Sequence, residues 1–138
     1  VPAPQDLTPA DTSSYVMPGL ADALRVFHPR VDEMRMSFAP GEEERSRLVQ
    51  ALRGYDYVVI GTINAYAQPE QAELVRAVLR LEMPVIVAAM RLPYDLAAFP
   101  EAPTYLCTYS ILEPAMRAVA KVLFGRLRAE GRLPVRIA

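Results

Sequence analysis

Reactive side chains are sparse in this sequence. It carries one cysteine, Cys107, and one histidine, His28. A single cysteine excludes an internal disulfide framework and a cysteine-cluster metal site, and a single histidine excludes a histidine-rich metal centre. His28 stands near the end of a helical stretch before Pro29, and no Ser or Cys is placed beside it in sequence. That favours a surface histidine over one half of a nucleophile–base pair. Cys107 falls in the middle of an apolar run and reads as a small core residue. Carboxylates are the abundant acid–base groups. Glu101 and Glu113 fall in loops at or near strand ends, where a carboxylic acid could protonate a leaving group, although a lone loop Glu is commonly just solvated. There is no GxGxxG after a strand, no GxxxxGK[ST] and no GxSxG elbow. No metal, cofactor or catalytic residue is therefore assigned on motif grounds.

The elements that would position such groups are easier to read. Tyr57 to Thr62 (YVVIGT), Pro84 to Met90 (PVIVAAM) and Thr104 to Thr108 (TYLCT) are apolar runs. The first two lack alternation, as in a parallel sheet covered on both faces. A fourth strand is expected over Val31 to Phe38, where Met34, Met36 and Phe38 alternate with Arg35 and Ser37. Helices are expected over Pro18–Phe27, Gly41–Arg53, Pro69–Leu81 and Pro114–Phe124. The second opens on acids that suit a helix N-terminus and stops at Gly54 as a C′ glycine. The third carries Ala72, Val75, Val78 and Leu79 at helical spacing behind a proline at its first position. The fourth ends at Gly125. One helical turn fits between Tyr94 and Phe99. Residues 1–18 read as irregular, with Val1 to Pro4 the stump of a first strand.

Helices alternating with strands predict a three-layer α/β/α sandwich with a mostly parallel sheet, in one domain over residues 1–138. In such sheets ligands bind beyond the carboxyl ends of the strands. That rule gathers Thr62, Asn64 and Tyr66 after one strand, Arg91, Tyr94 and Asp95 after the next, and Thr108, Tyr109 and Ser110 after the third. Simpler roles compete. Asn64 or Gln68 could cap the helix at Pro69, Asp95 could cap the turn after Tyr94, and Glu70 and Glu73 suit a first helical turn. Arg91, held between an apolar strand and Pro93, could grip a carboxylate or a sugar-type ligand, or pair with Asp95.

Composition bounds the partners. With 52% hydrophobic and 22% charged residues, the chain is neither disordered nor fibrous. The formal net charge of −1 comes from 15 basic and 16 acidic residues, and apart from Glu42 to Glu44 no block of one sign stands out. Nothing here points to nucleic acid or an anionic membrane surface. The apolar runs are far too short to span a bilayer. The sequence opens on Val1 without an initiator methionine, which suggests a piece of something longer, or else a processed start.

Three stretches, VVIGTINAYAQPEQAELVRAVL, PVIVAAMRLPYDLAAFPEAPTYLCTYS and EPAMRAVAKVLFGRLRAEGRLPVRI, together resemble the C-terminal α/β domain of glycoside hydrolase family 3. The likeness is nearest to the two-domain bacterial β-N-acetylhexosaminidases. It rests on the order and spacing of Pro93-Tyr94-Asp95-Leu96, of Tyr105-Leu106 with Thr108-Tyr109, and of Leu123-Phe124-Gly125 with Gly131 and Leu133-Pro134-Val135. It covers roughly Gly19 to Ile137.

The resemblance implies a partner, an N-terminal (β/α)-barrel catalytic domain that holds the nucleophilic aspartate. In the hexosaminidase branch the barrel also holds the acid–base pair. Carbohydrate would then be met only through the whole enzyme, cytoplasmic or exported, which removes terminal β-linked N-acetylglucosamine. The chain alone is expected to be inactive, with Asn64, Tyr66, Arg91, Tyr94, Asp95 and Tyr109 lining the cleft or the domain interface. Retaining hydrolysis needs two groups flanking one bond, with carboxyls ~5–5.5 Å apart in the usual case. Scattered loop carboxylates do not supply that pair. Two rivals stand beside this reading. A β-glucosidase-type domain would supply a Glu acid–base, with Glu101 or Glu113 as the candidates. A free-standing α/β binding or interaction module would have no hydrolase role.

Overall fold

The computed structural model of the chain describes residues 1–6, 10 and 15–137. Part of the N-terminal segment read as irregular, residues 7–9 and 11–14, lies outside the described residues. Three strands, β1 (Val58–Thr62), β2 (Val85–Ala89) and β3 (Tyr105–Cys107), form a parallel sheet in the order β1-β2-β3. Val58 pairs with Val85 and Thr62 with Ala89, while Val87 pairs with Tyr105 and Ala89 with Cys107. Four α-helices accompany them: α1 (Leu20–Arg25), α2 (Glu42–Ala51), α3 (Pro69–Leu79) and α4 (Glu113–Leu123). A 3₁₀ segment, Pro93–Ala98, follows β2.

Side-chain parity in β1 divides the core into two layers. Val58 and Ile60 pack with Leu74, Val75 and Val78 of α3 and with half-buried Leu48 and Leu52 of the α2 region. Val59 faces the other way, toward a cluster that holds Leu20 and Leu24 of α1 and Met116, Val119 and Ala120 of α4. Helices thus cover both faces of the sheet, which is why β1 and β2 are apolar without alternation.

Three local expectations change. The Val31–Phe38 stretch forms no extended strand. Met36 makes one isolated parallel bridge, to Pro2, with Ala3 N–H donating to Met36 C=O at 2.9 Å and Met36 N–H to Val1 C=O at 3.1 Å. The alternation breaks because the chain turns after Met36. Met36 enters the α2/α3 layer, whereas Phe38 enters the α1/α4 layer. Gly54 does not end α2 as a left-handed cap. The helix tightens into a 3₁₀ turn, Leu52–Gly54, and among the described glycines only Gly125 has positive φ, at 67°. There Gly125 N–H donates to Val122 C=O and Arg126 N–H to Lys121 C=O, the paired bonds of a Schellman end. Lastly, α3 has no side-chain cap from Gln68 at its N-cap position.

Candidate site at the carboxyl edge of the sheet

β1 leads into a tight turn whose geometry is held by two buried polar side chains. The first is Asp95, fully buried in the 3₁₀ segment after β2. Its carboxylate accepts from the Thr62 hydroxyl at 2.6 Å and from Tyr66 N–H at 3.3 Å. Burial pushes its pKa above the usual carboxylate value, opposed by hydrogen bonds from the Thr62 hydroxyl and from the N–H groups of Ala65 and Tyr66. Asp95 therefore does not cap its own turn. It ties the loop after β2 to the loop after β1.

The second is Gln71, also fully buried, in the first turns of α3. It accepts from Ile63 N–H at 3.0 Å and donates to Phe38 C=O at 2.7 Å and Ile63 C=O at 3.0 Å. A side-chain amide offers a donor pair and an acceptor, so one residue closes the backbone of two loops. Sequence reasoning passed over Gln71. The available signal was its position, i and i+4 and i+7 with Val75 and Val78, which places a polar group on the apolar stripe of α3.

Above these anchors the edge is aromatic. Tyr66, Tyr94 and Tyr109 are exposed by 49%, 38% and 49%, enough for each ring to meet a ligand or a partner. The Tyr66 and Tyr94 rings meet edge-on, with centroids 5.9 Å apart at 68°. Desolvation pushes the Tyr109 phenol up, with further contributions from neighbouring Cys107 and Tyr94, so it remains a hydrogen-bond donor at neutral pH. Below them Tyr105 donates to Pro93 C=O at 3.0 Å, and burial pushes both its phenol and the Cys107 thiol up. The Cys107 side chain is half-buried at the end of β3, less enclosed than a core residue.

Two non-glycine residues of this edge sit in the left-handed region, Asn64 with φ 58° and Tyr109 with φ 56°. Such backbone costs of order 1–3 kcal/mol each and concentrates where a chain must be aimed. Asn64 is buried, and its Oδ1 accepts no hydrogen bond. It caps nothing. Thr108 and Ser110 tie the loop after β3 locally: the Thr108 hydroxyl donates to Ser110 C=O at 2.7 Å, and Ser110 Oγ accepts from Leu112 N–H at 3.1 Å.

The expected residues after the three strands thus share one edge, with Asn64 and Asp95 beneath and the tyrosines on top. Half-buried Arg91 leads from β2 into the 3₁₀ segment. The two candidate acids are not brought together. Glu113 opens α4 just after β3 and pairs with Arg117 at 3.2 Å, exposed to solvent. Glu101 precedes β3, so it belongs to the opposite edge, and it lies 3.9 Å from Arg76. Among the described residues no group of three or more His, Cys, Asp or Glu is placed to hold a metal ion. No helix there is long and apolar enough to cross a membrane.

An edge of this kind, aromatic and polar at the carboxyl ends of parallel strands, is where open α/β sheets generally bind their ligands. Neither a protein-family model nor a curated protein matches the chain. Solved structures do. A glycoside hydrolase family 3 β-N-acetylglucosaminidase from Paenibacillus sp. str. FPU-7 is similar at 33% identity and a TM-score of 0.80, over 83% of this chain and 22% of that one. A fungal multi-domain family 3 β-N-acetylglucosaminidase, described with a GCN5-related glucosamine N-acetyltransferase region, is similar at 33% identity and a TM-score of 0.74, over 86% of this chain and 14% of that one. Over most of its length the chain thus matches one α/β portion of two glycoside hydrolase family 3 enzymes, consistent with a domain of their C-terminal type. It spans less than a quarter of either relative, most of which lies outside the matched part.

Proposed function

We propose that the chain is the C-terminal domain of a longer β-N-acetylhexosaminidase and packs against an N-terminal (β/α)-barrel through the carboxyl edge of its sheet. The observation that carries this reading is the match of most of the chain to a 22% portion of a β-N-acetylglucosaminidase. In the whole enzyme the barrel supplies the nucleophile and the acid–base pair, and water replaces the leaving group with retention. The domain closes one side of the sugar cleft and is inactive alone. Tyr66, Tyr94, Tyr109 and Arg91 form the rim. Tyrosine suits it, because a flat apolar face and a polar tip serve a sugar ring or a protein interface alike. Asp95 holds that rim in place from below through Thr62 and Tyr66.

The test is hydrolysis of an aryl β-N-acetylglucosaminide and an aryl β-glucoside by the 138-residue chain and by its longest natural parent. Activity on the glucosaminide in the parent alone is the expected result. Preference for the glucoside, together with collapse on Glu113→Gln, would move the chain to the β-glucosidase branch. Turnover by the isolated chain would overturn the reading.

A further inference from the structure

A cavity of about 930 Å³ runs beside β1, on the side away from β2. Its two long walls are backbone. In a parallel ladder the N–H and C=O of one residue point to the same side. Val58 N–H donates to Pro84 C=O and Thr62 C=O accepts from Met90 N–H, so the even-numbered residues of β1 face β2. Tyr57, Val59 and Gly61 therefore turn their backbone groups toward the cavity. The opposite wall is the Val31–Met36 stretch, which lines the same space.

The roof and floor are apolar. Leu20, Leu24 and Leu123 close one side, and Leu48, Leu52 and Val78 close the other. These are the two helical layers that cover β1 and β2. The space has the cross-section of a missing strand, with a strand edge on each flank and an apolar helix layer on each face.

One end of this slot is already filled as a strand would fill it. Val1 to Ala3 pair in parallel with Met36, and the Val1 amine donates to Met34 C=O at 2.9 Å. On the other flank the Val1 side chain lies 3.7 Å from where a Cβ on Gly61 would sit. Extending that direction backwards from Val1 leads along Asp32 and Met34 on one wall and Val59 and Tyr57 on the other.

We propose that the slot receives an extended segment of the longer polypeptide that runs directly into Val1, parallel to β1, and completes a five-stranded sheet in which the Val31–Met36 stretch becomes the outer strand. Both of its faces meet apolar side chains. The segment is therefore a run of about five consecutive apolar, largely β-branched residues with little alternation. The inference rests on the reading that this chain is part of a longer one. It concerns the sheet alone and leaves activity aside.

The first test needs no variant. In the parent protein, amide exchange is read at Tyr57, Val59 and Gly61. Protection equal to that of Val58 and Ile60 is expected, whereas rapid exchange at the odd positions would overturn the proposal. Replacing the five residues before Val1 with a Gly/Ser run should speed exchange at those amides by at least ~100-fold relative to the parent. No change on that replacement would refute the assignment of the occupant. Sedimentation of the 138-residue chain covers the remaining rival. A dimer that already protects Tyr57, Val59 and Gly61 would mean that a second copy fills the slot, against the proposal. None of these readouts uses glycoside hydrolysis, so an inactive parent with protected amides would count against the enzyme and leave the strand intact.

Discussion

Removing the Asp95 carboxylate should unfasten the two loops that carry the aromatic rim. Asp95→Ala orphans the Thr62 hydroxyl and the N–H groups of Ala65 and Tyr66 in a fully buried spot. A hydrogen bond to a charged acceptor contributes about 1.5–3 kcal/mol, and each buried donor left without a partner costs about 1–3 kcal/mol. Relief from burying a carboxylate offsets part of that sum. The net loss expected in urea unfolding is about 3 kcal/mol. Asp95→Asn keeps an acceptor oxygen for the N–H groups and should cost about 1 kcal/mol. Thr62→Val with Asp95→Ala should show a coupling of at least ~1 kcal/mol, since the two groups share one bond.

The pH dependence gives a second reading of the same side chain. Burial raises the Asp95 pKa in the folded state above its unfolded value. The folded state then holds this proton more tightly. Its contribution is fully present below the unfolded pKa and is lost as pH rises through the folded one. As pH rises above about 4 the wild type should lose stability relative to Asp95→Asn. Parallel pH profiles for the two proteins, together with a coupling near zero, would refute the account of Asp95 as a buried ionisable tie.

Three further outcomes follow from the same structure. Gln71→Leu keeps the volume but orphans Phe38 C=O and both polar groups of Ile63, so a loss of about 3 kcal/mol is expected by denaturant titration, against less than ~1 kcal/mol for exposed Gln50→Leu. Gly61→Ala would place a Cβ 2.7 Å from Met90 Cε and 3.1 Å from its Sδ, in a fully buried position. It should cost about 1–3 kcal/mol, partly restored when Met90→Leu is added, as thermal unfolding of the single and double variants would show. In a polypeptide with a free amine at Val1, burial lowers that amine to a pKa of about 6. The depressed value means stability that is present at about pH 8 and is lost as pH falls through 6. N-terminal acetylation should flatten the profile, and an unchanged slope would show that the amine is hydrated.

What was legible in the sequence was whatever burial writes into a long stretch. β1 and β2 lie between helices on both sides, so both faces are apolar up to Thr62 at the end of β1 and the runs are continuous. α3 and α4 bury one stripe each, and their periodicity and opening prolines place them to within a residue or two. The Val31–Phe38 stretch misled because Met34, Met36 and Phe38 alternate without a full-length partner to pair with. Period-2 patterning records which side chains are hidden, and a ladder also needs a second backbone. The strand-end rule collected Tyr66, Tyr94 and Tyr109 correctly on one edge, because topology alone puts them there. It could not rank them. Whether Asp95 faces solvent or lies buried depends on Thr62, 33 positions away, and no local pattern encodes that bond. Gln71 was hidden for the opposite reason: it sits inside a convincing amphipathic helix, where one polar exception is easily read as noise.

The register of the sheet has a bearing on how the chain comes to be folded at all. Val58 pairs with Val85 and Val87 with Tyr105, and no hairpin joins any of these strands. Each ladder must close a loop through an intervening helix or 3₁₀ segment before a single inter-strand bond forms, so the entropy of closure comes first and the reward later. While that search is under way, apolar segments such as VVIGT and VIVAA stand open to other copies. A chain so built assembles more slowly than its size suggests. Its yield should fall with concentration and temperature during refolding even where its final stability is ample.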